Sequence, residues 1–270
     1  MKTKKIQLIV GILLASIMIV LAIFAPILAP NDPNKIDVMN SLNQSSSEFP
    51  LGTDQLGRCI FSRLLYGART SLTVTAMVLV VTITIGTLVG TLSGIFSDRL
   101  IDKLFTALCE VLLAFPGILF ALVIAGMLGP GVLNIMIAIA IVSWAKYARV
   151  IRGLVIGTKN ADYVKAARVA GTNHLHMITW HILPNIKNTI GTLIVTDIGS
   201  TILTISGLSF IGLGAQASEA EWGMMINEAR MYIIKSPQMI LYPIVTIIIV
   251  VLAFNLIGDA LASNEELEGL

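Results

Sequence analysis

Residues 160–185 read NADYVKAARVAGTNHLHMITWHILPN and form a long stretch of this chain that cannot lie in a lipid core. Their pattern predicts two short helices joined by a bend. Asn160 can cap the first helix, and Thr172 or Asn173 can cap the second. Gly171 is the predicted bend, because glycine adopts the left-handed backbone conformation without steric cost.

The two predicted helices have different faces. The first carries a narrow stripe of mostly small residues at helical spacing: Tyr163, Ala166, Ala167 and Ala170. The second has an apolar face made of Leu175, Ile178 and Ile182. Pro184 is expected to end it, since proline pushes the residue before it out of helical geometry. Together they predict a rigid docking surface for another protein, and we call residues 160–185 the elbow.

The rest of the chain is strongly apolar. It is 56% hydrophobic and 13% charged, whereas a soluble domain carries about a quarter charged residues. A helix needs about 20 apolar residues to cross roughly 30 Å of hydrocarbon. Six blocks meet that length: 6–29, 71–96, 104–128, 132–148, 190–213 and 239–261. Backbone groups in lipid must be satisfied within the segment, so the predicted fold is all-α and polytopic, with six transmembrane helices.

The basic residues predict the orientation of these helices. With the amino terminus inside, the cytoplasmic segments hold twice as many of the 18 Lys and Arg residues as the outer segments. This arrangement places the elbow and both termini in the cytoplasm. It assigns Lys146 to the inner end of the fourth block, so that no basic residue is expected in the middle of a span. The first block is too long for a signal peptide and is interpreted as an uncleaved helix.

Residues 51–72, LGTDQLGRCIFSRLLYGARTSL, predict a glycine-bearing loop followed by a short interfacial helix. Arg58 and Arg63 could then extend towards water along the interface. The alternative is contact with a delivered partner protein. In the second block, Gly86, Gly90 and Gly94 form a small-residue stripe that predicts close packing against another helix.

Two carboxylates are predicted near the spans. Glu110 lies in the third block and Asp197 in the early part of the fifth. Each could line a polar path through the membrane or simply lie near the inner interface. Pro116-Gly117 is expected to break the third helix, which suggests a lumen wall or a flexible joint.

Other polar and sulfur-bearing residues give weaker signals. Met224 and Met225, in the outer segment between the fifth and sixth blocks, offer a soft surface, although methionine clusters more often serve packing. Cys59 and Cys109 are placed on opposite sides and are expected to be unpaired.

Several catalytic motifs are absent from the sequence. It contains no P-loop of the form G-x-x-x-x-G-K-[ST], no H-E-x-x-H, no G-x-S-x-G and no C-x-x-C. Ion-driven carriers usually need a richer buried set of ionisable residues than is found here. A membrane bundle with a prominent elbow is therefore expected to be driven by a separate protein docked on that elbow. A secondary carrier and a membrane scaffold are the rival classes.

The elbow resembles the EAA loop of permease subunits in binding-protein-dependent ABC importers, whose pattern is E-A-A-x-x-x-G followed by hydrophobic-Leu-Pro. The matching residues are Ala166, Ala167, Gly171, Leu183 and Pro184. The segments LGTDQLGR, SRLLYGARTSL, AFP, LSFIGLG, EWG and AFNLIGDAL are similar to the second permease subunit of the peptide/nickel importer group, and cover essentially 51–262. This resemblance divides the chain into an N-terminal helix with an extracytoplasmic segment, 1–50, and a permease core, 51–270.

The resemblance implies a transport subunit of the bacterial cytoplasmic membrane and not an enzyme. Its implied partners are a sister permease that completes a heterodimer, two cytoplasmic ATPases that grip the elbows, an extracytoplasmic binding protein and membrane lipid, with no nucleic acid. ATP and Mg²⁺ would bind to the ATPases, and no cofactor is expected on this chain. The five matching elbow residues would couple the ATPases to transport by alternating access.

Three residues depart from the family pattern. Lys165 stands where the EAA glutamate is expected, Cys59 where the family usually has aspartate, and Ile205 where many peptide permeases have glutamate. The first departure removes a charged contact that the ATPase could otherwise make.

The resemblance favours the nickel branch of the group, with short peptides as the alternative. The residues proposed for the substrate path are Glu110, Asp197, Met224, Met225 and Asn227. No tight metal site is expected, because nickel prefers nitrogen-rich coordination and the three histidines all lie in the elbow. A metal would then cross as a chelate or through weak contacts.

Overall fold

The computed structural model describes residues 2–216 and 219–268, and the side chains of all of these except 2, 3, 174 and 264–268. Within these ranges the regular secondary structure is helical, apart from one isolated bridge between Thr53 and Cys59, and loops such as 41–59 connect the helices. The helices are α1 (Lys2–Ile23), α2 (Ala25–Leu28), α3 (Ile60–Ile95), α4 (Leu100–Leu113), α5 (Gly117–Leu128), α6 (Val132–Lys159), α7 (Asp162–Val169), α8 (His174–His176), α9 (Leu183–Phe210), α10 (Trp222–Ala229) and α11 (Gln238–Glu268). A π-helical turn, Met177–Ile182, joins α8 to α9.

Five stretches are long and apolar enough to cross a membrane: Lys4–Ile23, Ile60–Ile95, Val132–Lys159, Met177–Phe210 and Gln238–Ser263. A sixth crossing is formed if α4 and α5 count as one broken span. The all-α polytopic prediction is confirmed.

The third predicted block, 104–128, is not one straight helix, and the expected break at Pro116-Gly117 is confirmed. The axes of α4 and α5 meet at 87°. Pro116 causes the break, because proline has no N–H to donate and its ring disfavours helical geometry at the residue before it. Gly117 then begins α5.

Three helices extend beyond the apolar blocks. The predicted interfacial helix and the second block are one continuous helix, α3, of 36 residues. Helix α6 continues to Lys159 instead of stopping at Ala148, and α9 begins at Leu183 instead of Ile190. Some charged residues in these extensions have partners within the protein: Arg63 bonds to Glu228, Arg152 to Asp102 and Lys159 to the Gly94 carbonyl.

The glycine stripe of α3 packs against α6, as predicted. A Cβ placed on Gly86 would lie 2.5 Å from Tyr147 Cβ, and one on Gly90 would lie 2.6 Å from the Ala148 carbonyl oxygen. Such distances are too short for any side chain, so glycine is what lets the two backbones approach.

The helices enclose several apolar clusters. At the end predicted to face outward, Trp222 of α10 is fully buried beside Ile60 and Met225. Its indole Nε1 donates to the Leu64 carbonyl at 3.2 Å. Helix α1 packs against α11 and α3, and α11 packs against α9. Residues 220–229 are therefore buried or half-buried, whereas Arg230, Met231 and Ile233 are exposed.

Candidate functional site

The elbow begins where α6 ends. Asn160 is the C-terminal cap of α6, and its side-chain amide donates to the Ile156 carbonyl at 3.1 Å. The prediction that Asn160 caps the next helix is wrong, because Ala161 occupies that position without a side-chain bond. The capping role of Asn173 is confirmed, since its Oδ1 accepts from the His176 N–H at 2.7 Å.

Gly171 forms the bend with a φ of +87°. Its N–H donates to the Arg168 carbonyl at 3.0 Å, and the next N–H, of Thr172, donates to the Ala167 carbonyl at 3.1 Å. These two bonds make a Schellman motif, which ends a helix with a left-handed residue. The predicted glycine stop is confirmed.

Pro184 does not end a helix. It is the second residue of α9, the helix that directly follows the π-helical turn. The second half of the elbow therefore runs through the π-helical turn directly into a long membrane helix. No loop separates this half of the elbow from α9.

One side of the elbow is anchored and the other is open. Val164 is fully buried in a cluster with Val155, Met177 and Ile182. On the open side, Ala166, Ala170 and Gly171 are exposed, while Ala167 and Leu183 are half-buried. Large apolar residues are exposed there too: Val169 at 90%, Leu175 at 71% and Trp180 at 69%.

Lys165, which replaces the glutamate of the EAA pattern, lies on this surface. Its Nζ is 3.3 Å from Asp162 Oδ1, and both side chains are well exposed. An exposed pair of this kind contributes little stability.

A second feature is a cavity of about 270 Å³ in the bend between α4 and α5. Phe115, Gly117 and Ile118 form its wall on the side of the bend, while α6 and α9 form the opposite wall. The prediction that Pro116-Gly117 shapes a lumen wall is consistent with this position. The opposite wall is polar and contains Ser143, Lys146, Asp197, Ser200, Thr201 and Thr204.

Asp197 is the most highly connected group in this cavity. One carboxylate oxygen accepts from Lys146 Nζ and from Ser200 Oγ, the latter at 2.8 Å. The other accepts from Tyr147 Oη. The Asp197 side chain is 14% exposed and the Lys146 side chain 53%.

The position of Lys146 corrects the prediction that no basic residue lies in the middle of a span. Lys146 and Asp197 each lie at the midpoint of a 28-residue helix. Such a helix is about 42 Å long, so its midpoint falls within the ~30 Å hydrocarbon core that the helix crosses.

The other residues predicted for the substrate path lie elsewhere. Glu110 is exposed on α4. Met225 is buried in the apolar cluster around Trp222, and Met224 is half-buried on the same short helix. Asn227 donates its Nδ2 to the Phe210 carbonyl at 2.5 Å, which joins α10 to the end of α9. Of the five, only Asp197 is among the residues that line the cavity.

A buried ionic network lies at the end predicted to face outward. Arg58 bonds to Asp54 at 2.6 Å and to Glu228 at 2.7 Å, and Arg63 bonds to Glu228 at 2.9 Å. The prediction that Arg58 and Arg63 extend into water is wrong, because both are no more than 2% exposed. The motif LGTDQLGR contains one acid of this network, but nothing in the sequence indicates Glu228 as the partner.

Glu221 caps α10, the helix that also carries Glu228 of this network. Its carboxylate accepts from the N–H groups of Gly223 at 2.9 Å and Met224 at 2.8 Å. Glu221 lies outside the membrane-spanning segments, and burial raises its pKa, although the hydrogen bonds from the backbone oppose this effect.

A second ion pair, also not predicted, fixes the base of α4. Arg152 Nε lies 2.6 Å from Asp102 Oδ1 and its Nη2 lies 2.8 Å from Oδ2, a bidentate contact between α6 and α4. Ser93 of α3 donates to the same carboxylate at 2.5 Å. Three helices therefore meet at Asp102.

The two remaining departures from the family pattern, Cys59 and Ile205, are both buried. Cys59, 1% exposed, and Cys109 are free thiols, so the prediction that they are unpaired is confirmed. Ile205 is 3% exposed and packs in an apolar cluster with Val74 and Ala138. Within the described residues, no group of three or more His, Cys, Asp or Glu side chains could hold a metal ion.

The fold, the bent span and the elbow define a multi-pass membrane transport subunit. Residues 86–264 match the family described as the binding-protein-dependent transport system inner membrane component, and the chain belongs to that family. It is thus a permease subunit of an ABC importer and a multi-pass protein of the inner membrane.

Curated relatives and a solved structure agree with this family. The chain is 42% identical over 246 residues to the glutathione transport system permease protein GsiD of Escherichia coli O6:K15:H31 (strain 536 / UPEC), an alignment that covers 91% of this chain and 81% of the relative. The GsiD protein of Shigella boydii serotype 4 (strain Sb227) matches equally well. The solved structure titled "Crystal structure of an amino acid ABC transporter with histidines" has the same fold, with a TM-score of 0.58 and 19% identity over 76% of this chain and 94% of that chain.

Proposed function

We propose that this chain forms one half of the membrane channel of an ATP-driven importer for short peptides. Its 42% identity to permeases of glutathione transport systems supports a peptide-type substrate. The nickel preference drawn from the sequence receives less support, because the relatives named above are glutathione permeases and not metal permeases. Peptide import, the alternative in the sequence analysis, is therefore the function we put forward.

The observation that carries the mechanism is the direct connection between elbow and cavity. Helix α6 enters the elbow and α9 leaves it, and these two helices carry Lys146 and Asp197 in the cavity wall. The cluster around Val164 also includes Tyr147, whose hydroxyl donates to Asp197. A force on the elbow therefore acts on both helices that form the polar wall.

This arrangement fits alternating access. Two ATPases, each holding ATP and Mg²⁺, close against the elbows of this chain and a sister permease and open the channel to an outer binding protein. Ala166, Ala167, Gly171, Leu183 and Pro184 transmit the force. Both termini and the elbow then face the cytoplasm.

An uptake assay tests the substrate class. Cells with and without this subunit are given radiolabelled glutathione, a radiolabelled dipeptide or radioactive nickel in separate experiments. We expect uptake of at least one peptide to depend on the subunit and nickel uptake to be unchanged. Nickel uptake that requires the subunit, with peptide uptake unaffected, would contradict the proposal.

A further inference from the structure

The cavity contains a charge pair at a depth where charge is costly. Ionisable residues in the middle of membrane helices usually face a substrate path or a water-filled cavity. Lys146 and Asp197 both line the cavity at such a depth. The pair thus lies on the wall that substrate would pass.

The two members of the pair are held differently. Asp197 is fixed by three donors from two helices and is largely buried. Lys146 has a flexible side chain that is about half exposed. Its ammonium group can therefore leave the carboxylate, while Asp197 keeps the bonds from Tyr147 and Ser200.

The rest of the cavity matches an amphipathic ligand. Hydroxyl groups of Ser143, Ser200, Thr201 and Thr204 lie on the same side as the charges, and apolar side chains of the α4–α5 bend lie opposite. The volume of about 270 Å³ is just below the ~300 Å³ at which ligand pockets begin. One chain thus provides one side of a site that a second permease would complete.

We propose that Lys146 and Asp197 form a transient site for the terminal charges of the transported peptide, an inference that rests on the proposed peptide-import function. The peptide carboxylate pairs with Lys146, and its ammonium group pairs with Asp197. When a zwitterionic peptide binds, two ion pairs with its termini replace the internal Lys146–Asp197 pair, and the net charge of the cavity does not change. The internal pair forms again when the peptide leaves.

The same pair discriminates against a bare divalent cation. Such an ion would gain the carboxylate of Asp197 but would be repelled by the ammonium group beside it. Specificity for a zwitterion therefore follows from the presence of both charges.

The test uses the complete importer in proteoliposomes, with loaded binding protein at saturation outside and ATP inside. Uptake of a dipeptide is compared with uptake of its C-terminal amide, for the wild type and for Lys146→Met. We expect the wild type to prefer the free carboxylate and Lys146→Met to lose that preference, with dipeptide uptake reduced about tenfold. Lys5→Met, which removes an exposed charge at the start of α1, should behave like the wild type.

A purely structural role of the pair predicts a different result. The double variant Lys146→Met/Asp197→Asn removes both charges and leaves neither one unpaired, so normal uptake with the wild-type carboxylate preference in this variant would overturn the proposal. A Lys146→Met variant that keeps the wild-type preference would overturn it as well. Failure of the wild-type importer to take up any peptide would instead contradict the proposed function.

Discussion

Replacement of Gly171 isolates the bend of the elbow from its packing. The residue has a φ of +87°, and a Cβ added to it would meet no atom within 4 Å. The effect of a side chain there is therefore a backbone effect. A non-glycine residue in the left-handed region costs about 1–2 kcal/mol, which is a factor of roughly 5–30 in the population of the native bend.

The size of the effect should follow the left-handed preference of the new side chain. Asn adopts this region more readily than other non-glycine residues, whereas a β-branched residue is strongly disfavoured. We expect peptide uptake per ATP hydrolysed to fall in the order Gly, Asn, Ala, Val, with Gly171→Val at about a tenth of the wild type or less. All variants should insert into the membrane in normal amounts, because the exposed bend contributes nothing to the core.

The assay measures uptake and ATPase rate together in reconstituted complexes. Gly153→Ala serves as the matched control, because it adds the same methyl group to a helical glycine that also has open space around it. Wild-type coupling in Gly171→Val, or equal losses in the Asn, Ala and Val variants, would refute a role for the left-handed bend.

Three further perturbations have defined outcomes. Gly90→Ala forces the backbone of α6 away and should lower the free energy of unfolding by about 1–3 kcal/mol, seen as a lower melting temperature in detergent. The control Gly126→Ala, whose added Cβ has no atom within 4 Å, should not lower the melting temperature. Equal melting temperatures for the two variants would count against close α3–α6 packing. Asp102→Ala leaves Arg152 without its bidentate partner and should lower the free energy of unfolding by about 1–3 kcal/mol. In a double-mutant cycle, the Asp102→Ala/Arg152→Met variant should recover part of this loss. Purely additive losses would show that the pair does not couple. Burial raises the pKa of Glu221, so the stability that this group contributes is fully present below its unfolded pKa and falls as pH rises through its native pKa. Glu221→Gln should remove this decrease from melting temperatures measured between about pH 4 and 8. An unchanged dependence of melting temperature on pH would contradict the raised pKa.

Features set by neighbouring residues could be predicted from the sequence. The Gly171 stop, the Asn173 cap and the glycine stripe of α3 depend on backbone conformation or on helical spacing, and each is found where the pattern places it. The break at Pro116 was also indicated, but its angle of 87° was not, because the packing of α5 against α6 is a tertiary effect.

Features set by distant residues could not be predicted. Lys146 and Asp197 are 51 positions apart, Arg152 and Asp102 are 50 apart, and Arg58 and Glu228 are 170 apart. Each charge alone suggests an exposed position at the membrane interface, so the sequence pattern places Lys146 at a helix end and Arg58 at the water boundary. Their true environments depend on a partner brought close only by the fold.

A site-specific cross-link tests whether the elbow is the contact point for the ATPases. Val169 on the elbow is 90% exposed and Ile234 at the opposite end is 96% exposed, while both natural cysteines are buried. In the assembled importer, Val169→Cys should cross-link to an ATPase subunit through a short bifunctional thiol reagent, and Ile234→Cys should not. An ATPase linked through Ile234→Cys, or no ATPase linked through Val169→Cys in an active complex, would contradict this role of the elbow.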